Sequence, residues 1–486
     1  MTVHRLRAAF LAVPLLGVVT AAGAAPAAQV NTGDTAWMLF ATTLVMLMIL
    51  PGLALFYGGL VRTKNTLSML AQVFSIVCIT SMLWVIFGYS LAFTTSGWPG
   101  FVGGASKLFL QGVSPDTTVP TLANGYDIPE YVFIIFQMMI ACIAPALMVG
   151  AFAERMRYAG LLVLVVLWVT IVYVPLAHMT WFSLGPDAIA DAAKSAVAAS
   201  TAGGRRAAEL NLQTVLDTAG LFRQWGVIDA GGGAAIHISA GIAGLVGAIF
   251  IGQRSGYGQV SMAPNNLALT MLGGCLLWVG WLGYTAGMGL RANGTAALAM
   301  LNVFMCAAAA AWSWTSAEWM LRGKPSLLGM LSGALAGLVA ITPSAAVAGP
   351  VGAIALGLLA GAAALWFSTS FKSRYDYDDA LDVFGVHCIA GVVGLLAAAV
   401  LASPKLGGSG IADLIARPGE VVMVSVDVPA QLVIQLKAVI ITLLWSGLLT
   451  AAVIKSVDRF IGLRADPVDE SRGLDIADHG ERAYNG

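Results

Sequence analysis

Charge is what this chain lacks. Only 10% of its 486 residues are Asp, Glu, Lys or Arg, against 58% apolar residues. A water-soluble domain ordinarily carries about a quarter charged residues, so this chain has too little polar surface to cover itself in water. Its 25 basic and 25 acidic residues cancel, which removes the basic excess that would argue for a nucleic-acid partner. Cysteine is scarce too. Cys78, Cys142, Cys275, Cys306 and Cys388 are odd in number and all fall in apolar runs. That argues against a disulfide framework. No CxxC or Cys/His spacing offers a metal a ligand set, so neither a metal nor a cofactor is expected. No nucleophile–base arrangement or phosphate-cradling loop is visible, which argues against an enzyme.

What is present is apolar length. Mean hydropathy is +0.84, and the apolar stretches are long rather than short and alternating, which excludes a β-barrel in favour of a helical, multi-pass membrane protein. The fold class expected is all-α, with eleven transmembrane helices. They fall near 37–60, 68–93, 130–152, 159–182, 229–251, 265–290, 297–320, 327–343, 348–370, 383–402 and 430–454. The 56 glycines suit close helix packing in lipid. Residues 1–27 read as a cleaved signal peptide: Arg5 and Arg7, an apolar core from Ala8, then small residues around Ala22–Ala27. The domain expected is 28–457, interrupted by an Ala-rich polar insertion at 183–228 and followed by a tail at 458–486.

Orientation follows from the basic residues of alternate short loops. Arg62, Lys64, Arg155, Arg157, Arg254, Arg322, Lys324, Lys372 and Arg374 lie on one side, with Lys455, Arg459 and Arg464 in the tail. That side is cytoplasmic, so the mature N-terminus is outside and the C-terminus inside. An odd number of spans satisfies this.

Against that background two histidines stand out. His237 and His387 each have Gly at +4, Gly at +7 and Leu at +8. The first lies on the fifth span and the second on the tenth. Five helices apart, the two lie in five-helix repeats of inverted topology around a central pore, with a shared site near mid-membrane. An ionisable group in a bilayer is a functional candidate by default. A neutral imidazole offers both a donor and an acceptor, so paired rings give a small neutral hydrogen-bonding molecule a path that a bare cation finds too costly. Asp229 reads as the cap of the fifth span, with its charge acting on a cation at second hand. Asp382 reads as the equivalent cap of the tenth. Aromatic residues near the outer ends of the spans fit an interfacial belt, and a few of them fit a cation–π site.

These residues resemble the ammonium transporter (Amt/Mep/Rh) family, in its bacterial branch. The stretches that carry the resemblance include Pro51–Arg62, Met148–Arg155, Pro175–Trp181, Pro325–Gly329 and Asp382–His387. The resemblance implies a homotrimer in the bacterial inner membrane. It implies ammonium captured at an outer vestibule, deprotonated, and conducted as ammonia past the His237–His387 pair. By position, Trp181 and Asp229 border the vestibule, Phe136 is a gating ring, Trp281 lines the pore, and Phe56 and Tyr57 fall near the inner exit. The tail, with Gly473, Asp475, His479, Gly480 and Tyr484, implies docking of a PII-type signal protein.

The chain departs from the family at the vestibule. Ile140 stands where a second Phe ring is usual, Tyr284 for Phe, Thr285 for Asn and Met288 for Ser. A lost cation–π contact costs about 0.5–2 kcal/mol, and a thioether accepts hydrogen bonds only weakly. Tyr284 and Met288 are therefore expected to tune the ammonium site, and an ammonium sensor with little flux is the alternative function.

Overall fold

Apolar runs too long for a soluble core become long helices. The computed structural model describes residues 29–484 except 96, 416, 418, 419 and 421, so the signal-peptide expectation lies outside the described residues. Among them, ten helices are long and apolar enough to cross a membrane: Thr32–Leu60, Thr63–Phe93, Glu130–Phe152, Tyr158–Trp181, Gly233–Ile251, Leu267–Gly287, Gly294–Arg322, Pro350–Tyr375, Phe384–Leu401 and Val428–Phe460. The run at 327–343 forms a shorter apolar helix, Leu327–Ile341.

Polar punctuation in the sequence sets the ends. Asn31, Asn266, Asn293, Ser326 and Asp427 each accept a backbone N–H three residues on, which satisfies a donor the helix itself leaves free. Small residues set the spacing. A Cβ on Gly337 would sit 2.5 Å from the Cys306 carbonyl oxygen, and one on Gly361 would overlap that of Ala310. Backbones therefore touch where the helices cross.

The insertion is helical. Gly185–Ala198 and Ala202–Asp217 form a hairpin, anchored where the Gly125 amide donates to both Asp187 oxygens at 2.9 and 3.0 Å. Short strands that apolar periodicity does not disclose complete that face: Gln29–Val30, Thr118–Pro120 and Tyr126–Pro129 in one sheet, Ile411–Asp413 with Val422–Val424 in another.

The opposite face is held by a buried ion network. Arg254 donates to Glu154 at 2.8 Å and to both Asp378 oxygens at 2.8 and 2.9 Å. Arg62 also reaches Glu154, at 3.0 Å. Burial alone would raise the Glu154 carboxyl, but Arg254 and Arg62 outweigh it and hold it below the ordinary range. Asp378 is likewise lowered: burial opposes, while Arg254 and Arg155 prevail. A carboxyl depressed in the folded state contributes stability that is present above its unfolded pKa and lost as pH falls through the folded value. Unfolding temperature in detergent should therefore drop as pH falls below about 4. Arg254→Leu should flatten that dependence while lowering stability at neutral pH by about 3 kcal/mol, the usual cost of leaving a buried charge unpaired.

The C-terminal tail packs on this same face. Asp475 accepts from the Ser68 amide at 2.8 Å, the Asn65 side chain accepts from the Leu474 amide at 2.9 Å, and Lys64 donates to the Glu470 and Ser471 carbonyls. His479 sets its ring edge-on to Tyr158 at 5.0 Å, and the Tyr484 hydroxyl donates to Asn265 at 3.2 Å. The turn between the tail helices needs glycine. Gly473 has φ of 105°, and a Cβ there would lie 2.6 Å from the Lys64 Cβ and carbonyl oxygen. Gly480 ends the second helix at φ 69°. Gly473→Val should release the tail. The strain is worth about 1–3 kcal/mol, so trypsin should cut beyond Lys455 about tenfold faster, with the unfolding temperature of the bundle unmoved.

Candidate functional site

The two histidine helices share a local construction. His237 lies on a π-helical turn, Gly233–Ile238, and His387 on another, Phe384–Ile389. Such turns carry an extra residue and recur at functional sites. The frames match at both ends. Asp229 precedes His237 by eight residues and accepts from the amides of Gly232, Gly233 and Ala234 at 3.0, 2.6 and 2.9 Å. Asp379 precedes His387 by the same eight and accepts from Val383 and Phe384 at 3.1 and 2.8 Å. Asp379, not Asp382, is thus the equivalent cap. Asp382 turns instead to Lys372, at 2.7 Å, with φ of 59°. The fifth helix also starts at Gly233 rather than Asp229, because Asp229 works from the loop before it.

The glycines that follow each histidine explain the crossing. A side chain at Gly241 would overlap Cys388, and one at Gly391 would lie 3.0 Å from Ile238 and 3.3 Å from the His237 Cβ. Each +4 glycine admits the other helix at the histidine level. The imidazoles therefore face one another, centroids 5.6 Å apart and planes within 12°. His237 also stacks on Trp281 at 5.2 Å and 11°. Both histidines are buried, and neither His237 nitrogen nor His387 Nδ1 has a hydrogen-bond partner among the described residues. A neutral imidazole so placed can both donate and accept a hydrogen bond.

A column of side chains runs from this pair in both directions. On one side Trp281 meets Tyr284 edge-on at 5.8 Å, and the Trp281 indole donates to Thr342 at 2.9 Å. The Tyr284 hydroxyl donates to the Gly231 carbonyl, so its proton is committed to the backbone while its oxygen still accepts. Phe136 is fully buried against Gly287, where a Cβ would come within 2.7 Å of the ring. Ile140 lies one turn along the same helix, also buried, and Met288 follows Gly287 as a buried cap. Trp181 rests on Gly232, where φ is a left-handed 87° and a Cβ would lie 2.6 Å from the indole, and donates to the Ala230 carbonyl at 3.0 Å. On the other side a cavity of about 100 Å³ reaches His387 between Phe56, Tyr57, Ser332 and Asp382. Tyr57 is fixed by a 3.0 Å bond to the Leu147 carbonyl.

Of the residues expected at pore and vestibule, the structure brings His387, His237, Trp281 and Tyr284 into one stack and sets Phe56 and Tyr57 on a cavity with His387, while Phe136, Ile140, Met288 and Trp181 are packed at their own helix contacts. Asp379 and Thr342 were missed. The eight-residue spacing discloses the first; nothing local discloses the second. Among the described residues no cluster of His, Cys, Asp and Glu is arranged to hold a metal.

Comparison with known proteins bears on the whole chain. The model of the Ammonium Transporter Family matches residues 36–484. The chain is 38% identical to an ammonium transporter of Bacillus subtilis, over 93% of this chain and 98% of that one. It is 36% identical to one from Aquifex aeolicus, over 97% and 98%. Among solved structures it resembles a Sensor Amt Protein (TM-score 0.75, 26% identity, covering 92% of this chain and 98% of that one) and Saccharomyces cerevisiae Mep2 (0.73, 25%, 90% and 91%). With one family model spanning nearly the whole described chain and the helical scaffold matching as well, this multi-pass membrane protein belongs to the Ammonium Transporter Family.

Proposed function

We propose that the protein moves ammonium across the bacterial inner membrane by capturing it outside, removing a proton and conducting ammonia past His237 and His387. The observation that carries this reading is the buried imidazole pair, in which both His237 nitrogens and His387 Nδ1 lack a hydrogen-bond partner among the described residues. Ammonia donates to one lone pair and accepts from one N–H, so it can trade water for ring contacts. A bare cation in the same apolar lumen forfeits most of its hydration. Trp181 and Asp229 border the capture site, Phe136 gates it, and Trp281 and Tyr284 lead to the pair. Eleven crossings in two inverted five-helix units, N-terminus out and C-terminus in, set the path across the membrane. The chain assembles as a homotrimer, each subunit with its own pore, and the tail offers a PII-type protein its docking face.

In proteoliposomes an ammonium pulse should give a transient inward current, with the released proton crossing separately. A current indistinguishable from that of empty liposomes would defeat the proposal. A second reading, sensing with little flux, is favoured by Ile140, Thr285 and Met288 at the vestibule and by the likeness to a Sensor Amt Protein. Its mark would be ammonium binding and downstream signalling without that current.

A further inference from the structure

Beneath the inserted hairpin lies a second cavity, apart from the histidine column and about 460 Å³ in volume. Its floor is the ends of two spans: Thr94 and Thr95 follow Thr63–Phe93, and Phe182 follows Tyr158–Trp181. Its roof is the end of Ala202–Asp217, through Thr214, Asp217 and Thr218. The roof is tied down. The Gly220 amide donates to the Phe182 carbonyl at 2.9 Å, Leu221 to Gly100 at 2.8 Å, and the Gln224 side chain to the Asp217 and Ala219 carbonyls at 2.8 and 2.7 Å. The space is therefore built into the fold.

Four of its polar side chains, His178, Thr214, Asp217 and Thr218, present acceptors. His178 Nδ1 lies 2.9 Å from the Ala92 carbonyl. A carbonyl only accepts, so Nδ1 carries the proton and Nε2 holds a lone pair. The Thr214 and Thr218 hydroxyls donate to the Leu210 and Thr214 carbonyls at 2.8 and 2.7 Å, which leaves their oxygens to accept. Asp217 takes one bond, from Gln213 at 2.8 Å, and keeps acceptor capacity in its carboxylate. Among the described residues no Lys or Arg lines the space, and Thr94, Thr95 and apolar walls such as Val102 and Phe182 make up the remainder. Acceptors and a negative charge call for a cation rich in N–H. The size calls for more than an ammonium ion, because a water-sized guest needs only about 30 Å³.

We propose that this cavity is a binding site for a primary organic ammonium group with an apolar portion. Two sources share that chemistry. Because the cavity lies where two spans end, the lipid ethanolamine headgroup is one source and a soluble amine the other. The cavity does not include the histidine pair, and its test reads binding rather than transport.

The full chain would be reconstituted in nanodiscs holding equal phosphatidylethanolamine and phosphatidylcholine, and its retained lipid counted by native mass spectrometry. In parallel, detergent-solubilised protein would be titrated with 2-phenylethylamine and with its trimethylated counterpart, which has no N–H to donate. The expected result is at least a tenfold preference for the primary amine in one arm or both. Lipid preference alone assigns the headgroup, and amine binding alone assigns a soluble ligand. Asp217→Asn keeps the shape but removes the charge, and should weaken binding about tenfold. Thr214→Phe fills the space and should abolish binding. Both positions are on the exposed hairpin, so the bundle should keep its unfolding temperature. No preference in either arm, or binding that survives both substitutions, overturns the proposal.

Discussion

Replacing His237 with leucine should stop the ammonium current while making the protein more stable. The two effects have one cause. In the folded chain His237 is fully buried with neither ring nitrogen bonded among the described residues, and a buried polar group without a partner costs about 1–3 kcal/mol. Leucine is of similar volume and has no polar atom to desolvate. Even after the stacking on Trp281 is lost, the variant should gain about 1 kcal/mol, read as a higher unfolding temperature. Transport should go the other way. Ammonia entering a leucine-lined segment finds no lone pair or N–H, and the unmet hydrogen bonds add about 3 kcal/mol or more to its barrier, which is a hundredfold or greater loss of current. A variant that is both less stable and still conducting would mean that the imidazole serves packing alone. A dead current with downstream signalling intact would move the function toward sensing.

The histidine pair was legible in the sequence because it is a local pattern stated twice. Identical spacings to Gly241 and Gly391 fix which face of each helix meets the other, and the glycines carry that meeting physically. Helix positions were legible for the same reason, since apolar length is a local property. The cap of the His387 helix shows the limit. Asp382 begins the apolar run and was expected to cap it, yet Asp379, three residues earlier, holds the amides. Hydropathy marks where lipid begins, whereas a cap is chosen by where the first free amides point. Tyr284 shows a second limit. Its hydroxyl proton goes to the Gly231 carbonyl, 53 residues away in sequence, which leaves only its oxygen for a donor. The Trp281–Thr342 bond spans 61. Such partners are set by how helices far apart in the chain pack, which no window of sequence contains. The Ala-rich composition of the insertion favours helix, and Gly185–Ala198 and Ala202–Asp217 are helical.

Substitutions at Asp229 separate a brace from a charge acting on the cation. Its oxygens take three amides in succession, from Gly232, Gly233 and Ala234. That holds the loop whose Ala230 and Gly231 carbonyls receive Trp181 and Tyr284. Asp229→Ala leaves those amides without an acceptor in a buried place and should cost about 3 kcal/mol, taking the vestibule side chains with it. Asp229→Asn is gentler. Its remaining oxygen still serves Gly232 and Gly233, but its NH₂ faces the Ala234 amide, donor against donor, for a loss of about 1–2 kcal/mol. If the carboxylate acted only as a brace, transport would follow stability, and the Asn variant would keep most of the current. If its charge is needed to hold a cation beside Trp181, the Asn variant should lose at least tenfold in current, nearly as much as Ala, while its unfolding temperature stays well above that of the Ala variant. The expected result is the second. Current that scales with unfolding temperature across the three proteins would leave Asp229 as a brace and require the attraction for ammonium to come from the aromatic rings alone.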